Sequence, residues 1–392
     1  MLFNNIHKSY VARFLQDLQF FGAITIPYFI DWLQIDYTRI FILQAWFVIW
    51  VVLLEIPTGI VADKYGRRVS LSIGVLLFGM DLLIFGFTRN YYVLYLAEFL
   101  GAIGFTLISG ADKALLYDSL LAMNKQDEGK YYLSRYEAAG TFGILLSFPL
   151  GSLIAGSAYI VYPCSLAITF ILSGIFSLLA VIFYLLMNEP ERVKPTENFV
   201  KLGLDGLRQV HGHRTLRVFA LNSILLSSIT FFMFWFYQPL AGKAGIDISY
   251  YGFIGAGFNL FGMLLLLYVE KLENILGINN ILFYSALIPA LLFITLAIID
   301  NVYFVLFAIF MITGLKQLRA PILSDFMNQH IESRNRATVL SSVSLLERFM
   351  IALLYPVAGF LADMSLEHAL LFLGAVALIF TFITKIEESH IS

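Results

Sequence analysis

Apolar stretches recur along the whole chain, separated by short polar turns. A bilayer core of about 30 Å needs about 20 apolar residues per helix. That window predicts twelve membrane-spanning helices, over 10–34, 39–62, 69–88, 91–120, 131–156, 161–187, 215–240, 248–269, 278–299, 302–328, 336–362 and 366–386. The fourth, tenth and eleventh carry charges and are kept because their spacing leaves no odd loops. The longest polar stretch, Asn188 to Arg214, divides the spans six and six. The chain therefore reads as an all-α integral membrane protein. It has a six-helix bundle over 1–187, a cytoplasmic linker over 188–213 and a second bundle over 214–392. Within the linker, Asn198 to Val210 sets Phe199, Val200, Leu202, Leu204, Leu207 and Val210 among charges. That pattern fits either an amphipathic helix lying at the membrane interface or a flexible connection.

Composition agrees with the pattern. The chain of 392 residues is 59% hydrophobic, 16% aromatic and 13% charged, where soluble domains carry about 25% charged residues. The lone Cys164 leaves no internal disulfide framework and no cysteine-based metal site. The six histidines fall in termini or loops, and neither a Ser-His-Asp arrangement nor a phosphate-cradling glycine loop occurs, so neither an enzyme nor a cofactor is expected. No basic tract suggests nucleic acid. The first ten residues lack the features of a cleavable signal, so the first span is expected to be retained. Seventeen of the 25 lysines and arginines fall on the side holding both termini, and only Arg39, Arg89 and Lys243 on the other. The expected site is a cytoplasmic membrane crossed many times, with both termini cytoplasmic.

One loop is more specific than this. Between the second and third spans the chain reads Gly59-Ile60-Val61-Ala62-Asp63-Lys64-Tyr65-Gly66-Arg67-Arg68. An ordinary positive-inside loop accounts for Lys64, Arg67 and Arg68 but not for the Gly-Asp-Gly-Arg spacing. The decapeptide resembles the G-x-x-x-D-[RK]-x-G-R-[RK] signature of the major facilitator superfamily, with Gly59 read as a small-residue approach. Glu55 to Gly59, Ser109 to Leu120 and Arg336 to Ser341 resemble segments of its bacterial and archaeal drug-exporter-like branch. The resemblance implies two pseudo-symmetric six-helix bundles and an alternating-access secondary transporter of a small molecule, often proton-coupled, working in the lipid bilayer as a monomer. It also implies a cytoplasmic gate at Gly59, Asp63, Gly66, Arg67, Arg68 and Asp118, and at Glu270, Asp325 and Arg336 in the second half. Where drug/proton antiporters of the family commonly carry an arginine in the middle of helix 4, this chain has Asp112-Lys113.

An internal repeat supports the resemblance. An offset of 207 residues maps Asp63-Lys64 onto Glu270-Lys271 and Asp118 onto Asp325. Such repeats mark secondary transporters. The second loop, Glu270 to Asn280, reads as a degenerate copy that has lost the Gly and the Arg pair.

Charges at bilayer depth cost at least about 2.5–3.5 kcal/mol each, so each needs a reason. Arg13 and Asp17 are four apart and can pair on one face. Asp81 lies 13 residues past Arg68, about 20 Å along a helix, as either a buried protonated acid or a functional one. Asp112 and Lys113 point about 100° apart, so one is expected to face a cavity and the other a neighbouring helix. Glu137 faces the same vestibule. The first-half interior holds Asp17, Glu55, Asp81, Glu98, Asp112 and Glu137 against Arg13 and Lys113. The second holds Glu347 against Lys316, Arg319 and Arg348. This asymmetry supports either salt bridges that close a gate, which suits Lys316, or an acid and a base presented to a polar substrate, which suits Arg319, Glu347 and Arg348. Asp17, Asp112 and Glu347 are the candidate proton carriers. The aromatic run Phe231 to Tyr237 suits either an amphipathic ligand or an interfacial belt. Function reads as proton-coupled export of a small amphipathic or polar compound. The alternative is import or exchange of an organic anion or zwitterion through Arg319 and Arg348.

Overall fold

The computed structural model describes residues 3–190, 212–331, 336–384 and 386. The expected interfacial segment Asn198 to Val210 lies outside them. Among the described residues all regular structure is helical. The first half contains α1 (Phe3–Gln16), α2 (Tyr37–Tyr65), α3 (Arg67–Phe87), α4 (Tyr91–Ile108), α5 (Ala111–Leu121), α6 (Gly129–Ala155) and α7 (Cys164–Leu185). The second contains α8 (Arg214–Phe231), α9 (Met233–Lys243), α10 (Tyr251–Leu267), α11 (Val269–Leu276), α12 (Ile278–Leu296), α13 (Val302–Gln329), α14 (Arg336–Met364) and α15 (Leu366–Ile383). Among the described residues, eleven spans are long and apolar enough to cross a membrane, and the first predicted span forms the twelfth crossing in broken form.

That break departs from the expected continuous helix over 10–34. α1 starts earlier, at Phe3, and stops at Gln16; turns follow, then a short helix Thr25–Pro27 and a π-turn Tyr28–Trp32. Backbone polar groups at membrane depth must be satisfied inside the protein. Here the Asp17 N–H donates to the Arg13 carbonyl at 3.0 Å, and the Phe20 N–H donates to Ser173 Oγ at 2.9 Å. Glycines on α6 make room for the segment: a Cβ at Gly143 would lie 2.8 Å from the Phe14 carbonyl oxygen, and one at Gly151 would collide with the Phe20 carbonyl. The fourth span is broken too. α4 ends at Ile108, Gly110 turns the chain with φ +75°, and α5 starts at Ala111.

The repeat is visible in the backbone, with one correction. Gly66 (φ 112°, ψ 144°) separates α2 from α3, and Gly277 (φ 75°, ψ 149°) separates α11 from α12. Both have left-handed φ, which glycine adopts without steric cost. The turn glycine expected to be lost is therefore retained, 211 residues (277 − 66) after its counterpart. Ile278 and Asn279 follow it where Arg67 and Arg68 follow Gly66.

The chain forms two compact units. One is Met1–Ile35, Trp46–Thr196 and Ile248–Ala256; the other is Asp36–Ala45, Glu197–Asp247 and Gly257–Ser392. The first is packed around Ala12, Leu71, Val75, Leu115 and Tyr184, the second around Phe219, Leu282, Leu323 and Phe326.

Candidate functional site

The two helix breaks of the first unit meet at one cavity of about 390 Å³. Arg13, Gln16, Asp17 and Gln19 line it from the end of α1, Ser109, Gly110, Asp112 and Lys113 from the start of α5, and Glu137 from α6. Arg13 is the centre of this wall. Its Nε lies 2.8 Å from Asp17 Oδ2, its Nη1 3.9 Å from Asp112 Oδ2 and its Nη2 3.8 Å from Glu137 Oε2. The Tyr136 hydroxyl donates to Asp112 Oδ2 at 3.0 Å, and the Tyr136 ring lies under the Arg13 guanidinium, 5.4 Å away. Lys113 pairs with Glu137.

Asp112 and Lys113 were expected to diverge, yet both line the cavity. The cavity is walled by two elements, so Asp112 turns to Arg13 of α1 while Lys113 reaches Glu137 of α6. Asp17 and Asp112 are buried, at 6% and 7% exposure, whereas Lys113 and Glu137 are open to solvent. Three carboxylates thus face two cations, one of them exposed and paired with Glu137. Such a wall can bind a cationic group or exchange a proton when its pairing changes.

The signature loop has its own geometry. The Arg67 guanidinium pairs with Asp118 of α5 and donates to the Ala114 carbonyl at 2.7 Å. The Arg67 and Arg68 backbone N–H groups donate to the two carboxylate oxygens of Glu189, each at 2.8 Å. This caps the N-terminus of α3, where orphan donors and the helix dipole favour a negative charge. Glu189 was missed in the sequence, because a cap supplied from 122 residues away leaves no local pattern. Asp63 is half-exposed at the end of α2. Gly59 is not a close approach: a Cβ there would meet nothing within 4 Å.

In the second unit the counterpart of Arg67 is missing. Asp325 accepts a hydrogen bond from Gln329 at 3.0 Å and lies near Glu270 and Glu273 of α11. Burial, followed by the charges of Asp325 and Glu270, pushes the Glu273 carboxyl above its ordinary range. The Arg336 Nε donates to the Asn328 carbonyl at 3.1 Å.

The other predicted residues do not converge on the first-unit cavity. Arg319 is 2% exposed; it donates to the Leu282 carbonyl, to Ser285 Oγ at 2.9 Å and to Asn222, tying α8, α12 and α13 together. Its guanidinium is committed to protein acceptors rather than presented to a ligand. Lys316 lies 4.8 Å over the Phe231 ring, and Glu347 is within electrostatic reach of Lys316 and Arg348. Asp81 sits between α3 and α4, away from the cavity lining. The aromatic run is largely core: Phe232, Phe236 and Tyr237 are fully buried, and the first two pack with Trp235 and Tyr355 around Phe41.

A family model described as Major Facilitator Superfamily matches residues 10–353. The chain belongs to that superfamily. It is therefore a multi-pass membrane transporter of small molecules rather than an enzyme. It is 22% identical over 334 residues to the quinolone resistance protein NorA of Staphylococcus aureus (strain COL), covering 85% of this chain and 83% of that protein. The crystal structure of the nucleoside transporter NupG superposes with a TM-score of 0.81 at 15% identity, covering 97% of this chain and 98% of that one. A bacterial homolog of the human lysosomal transporter Spinster, inward-facing and unoccupied, gives 0.77 at 14% identity with 97% of each chain covered. At such identities these structures share the fold, and fold does not fix substrate.

Proposed function

We propose that this facilitator is an alternating-access, proton-coupled exporter of a small amphipathic or polar organic compound. The observation that carries this reading is the first-unit cavity, where Arg13 bridges Asp17, Asp112 and Glu137 while Lys113 competes for Glu137. Protonation of Asp17 or Asp112 frees Arg13 to re-pair, which couples a proton to the shape and charge of the wall. The likeness to NorA supports export as the direction. The same reading has the protein acting as a monomer in the cytoplasmic membrane with both termini inside, as the lysine and arginine distribution supports. The signature loop with Arg67, Arg68 and Asp118, and the acidic group of Glu270 and Asp325, serve as cytoplasmic gate elements. The alternative, import or exchange of an anion through Arg319 and Arg348, loses support because Arg319 is committed to Asn222, Ser285 and Leu282.

The test is accumulation of cationic, zwitterionic and anionic compounds in an exporter-deficient host, before and after collapse of the proton gradient. Proton-driven export lowers accumulation, and collapse raises it again. Gradient-dependent uptake would overturn the proposal in favour of import.

A further inference from the structure

Two buried carboxylates outside the cavity are used by nothing described so far. Asp81 on α3 is 4% exposed and Glu98 on α4 is 6% exposed. Glycines line the contact between these helices. A Cβ at Gly74 would lie 2.9 Å from the Gly104 carbonyl oxygen. One at Gly101 would lie 2.5 Å from Asp81 Oδ2 and 2.9 Å from its Cγ. The Asp81 carboxyl therefore fills the notch that Gly101 leaves, aimed at α4. Glu98 is three residues before Gly101, on the neighbouring turn of the same face, and lies within electrostatic reach of Asp81.

Other groups around the notch are committed elsewhere. The Tyr28 hydroxyl, within electrostatic reach of both acids, donates to the Phe85 carbonyl. From α7, on the other side of α3, the Ser173 and Ser177 hydroxyls donate to the Thr169 and Val75 carbonyls. Asp81 forms no ion pair among the described residues, and its Oδ1 is sealed from solvent with no hydrogen-bond partner. An ionised carboxylate at membrane depth is costly, and a second one beside it raises the cost. A bound proton removes a charge and supplies a donor that the neighbouring carboxyl can accept.

We propose that Asp81 and Glu98 form a proton-binding site in the seam between α3 and α4, separate from the transport cavity, that holds at least one proton at neutral pH. The proton forms an O–H bond on one carboxyl and is accepted by an oxygen of the other; its release returns it to water and leaves both oxygens charged. α4 runs from this seam to the break at Ser109, so the bound proton sits on the helix whose end lines the cavity.

Infrared spectroscopy of the purified full-length protein at neutral pH tests this without any transported compound. The wild type should show the C=O stretch of a protonated carboxyl. That band should shift in Asp81→Asn and in Glu98→Gln and be lost in the double variant. A band unchanged in either single variant, or retained in full by the double variant, overturns the proposal. If the double variant does not fold, the two single variants decide by the same criterion. Both outcomes are independent of cavity variants such as Asp17→Asn, so failure here is distinguishable from failure of the export reading.

Discussion

The Arg13 guanidinium lies 2.8 Å from the Asp17 carboxylate, at the point where α1 stops and its chain unwinds into the bundle. This pair is an i,i+4 contact, but its place at a helix break adds Asp112 and Glu137 of two other helices to the same cation. Replacing Arg13 with Gln leaves three carboxylates without their shared partner. Transport should fall at least about tenfold, the scale of losing one to two charge-assisted contacts, with Arg13→Lys intermediate. Uptake or efflux rates on matched amounts of folded protein check this; wild-type rates in Arg13→Gln would remove Arg13 from the mechanism.

The glycines of α6 give a packing prediction. Gly151→Ala places a methyl against the Phe20 backbone carbonyl, which cannot rotate away. Overpacking of this kind costs about 1–3 kcal/mol, so the melting temperature in detergent should drop. Gly59→Ala is the control: with nothing within 4 Å of the new Cβ, its melting temperature should match the wild type. Equal melting of both variants would contradict the close approach of the broken first span to α6.

Glu189 holds the start of the signature helix. Glu189→Ala removes the acceptor of two backbone N–H groups, a cap loss on the scale of about 0.5–2 kcal/mol. Hydrogen exchange at Arg67 and Arg68 should accelerate about 2- to 30-fold on that scale, with Glu189→Gln in between. Unchanged exchange at these two amides would rule out the cap. Asp63→Asn, by contrast, should leave folding near normal and strongly impair transport, read as activity per folded molecule.

Arg319 now predicts a stability effect rather than a selectivity effect. Arg319→Ala removes the buried donor to the Asn222 side-chain oxygen, to Ser285 Oγ and to the Leu282 carbonyl, and a buried acceptor left unmade costs about 1–3 kcal/mol. Thermal denaturation should show a large destabilisation, with substrate preference unchanged among molecules that remain folded. A shifted preference at wild-type stability would restore Arg319 as a ligand contact.

Glu273 sets a pH dependence with a definite sign. Its folded-state carboxyl is raised by burial and by its acidic neighbours, so the folded state holds its proton more tightly than the unfolded chain. That contribution is fully present below the ordinary glutamate value of about 4.3, and it is lost as pH rises through the higher folded-state value. Glu273→Gln should flatten the decline of melting temperature with pH between those two values. An identical pH profile in the variant would show that Glu273 does not contribute.

Much of the fold was legible in the sequence because lipid imposes a simple rule: every crossing must be an apolar helix long enough to close its own hydrogen bonds. The spans, the repeat and the Gly59 to Arg68 resemblance follow from that rule and from local spacing. The Arg13–Asp17 pair was also readable, since both partners lie on one helix face. Non-local relationships were not. Hydropathy averages over a window, so it reads straight through the breaks after Gln16 and at Ser109-Gly110, where backbone groups are satisfied by Ser173 and by turns rather than by a continuing helix. Those breaks bring Asp17, Asp112, Lys113 and Glu137 to one cavity.

The sequence by itself determined a membrane-embedded helical transporter fold and which ionisable residues need an explanation at bilayer depth. Only the tertiary structure decided what each of them meets: Asp112 meets Arg13, Arg67 meets Asp118, Glu189 caps α3, Arg319 clasps three helices and Asp81 fills the notch at Gly101. The physical reason is that a charge's cost is set locally by burial, which hydropathy reports. Its role is set by partners brought close through helix packing, which no pattern along one chain encodes.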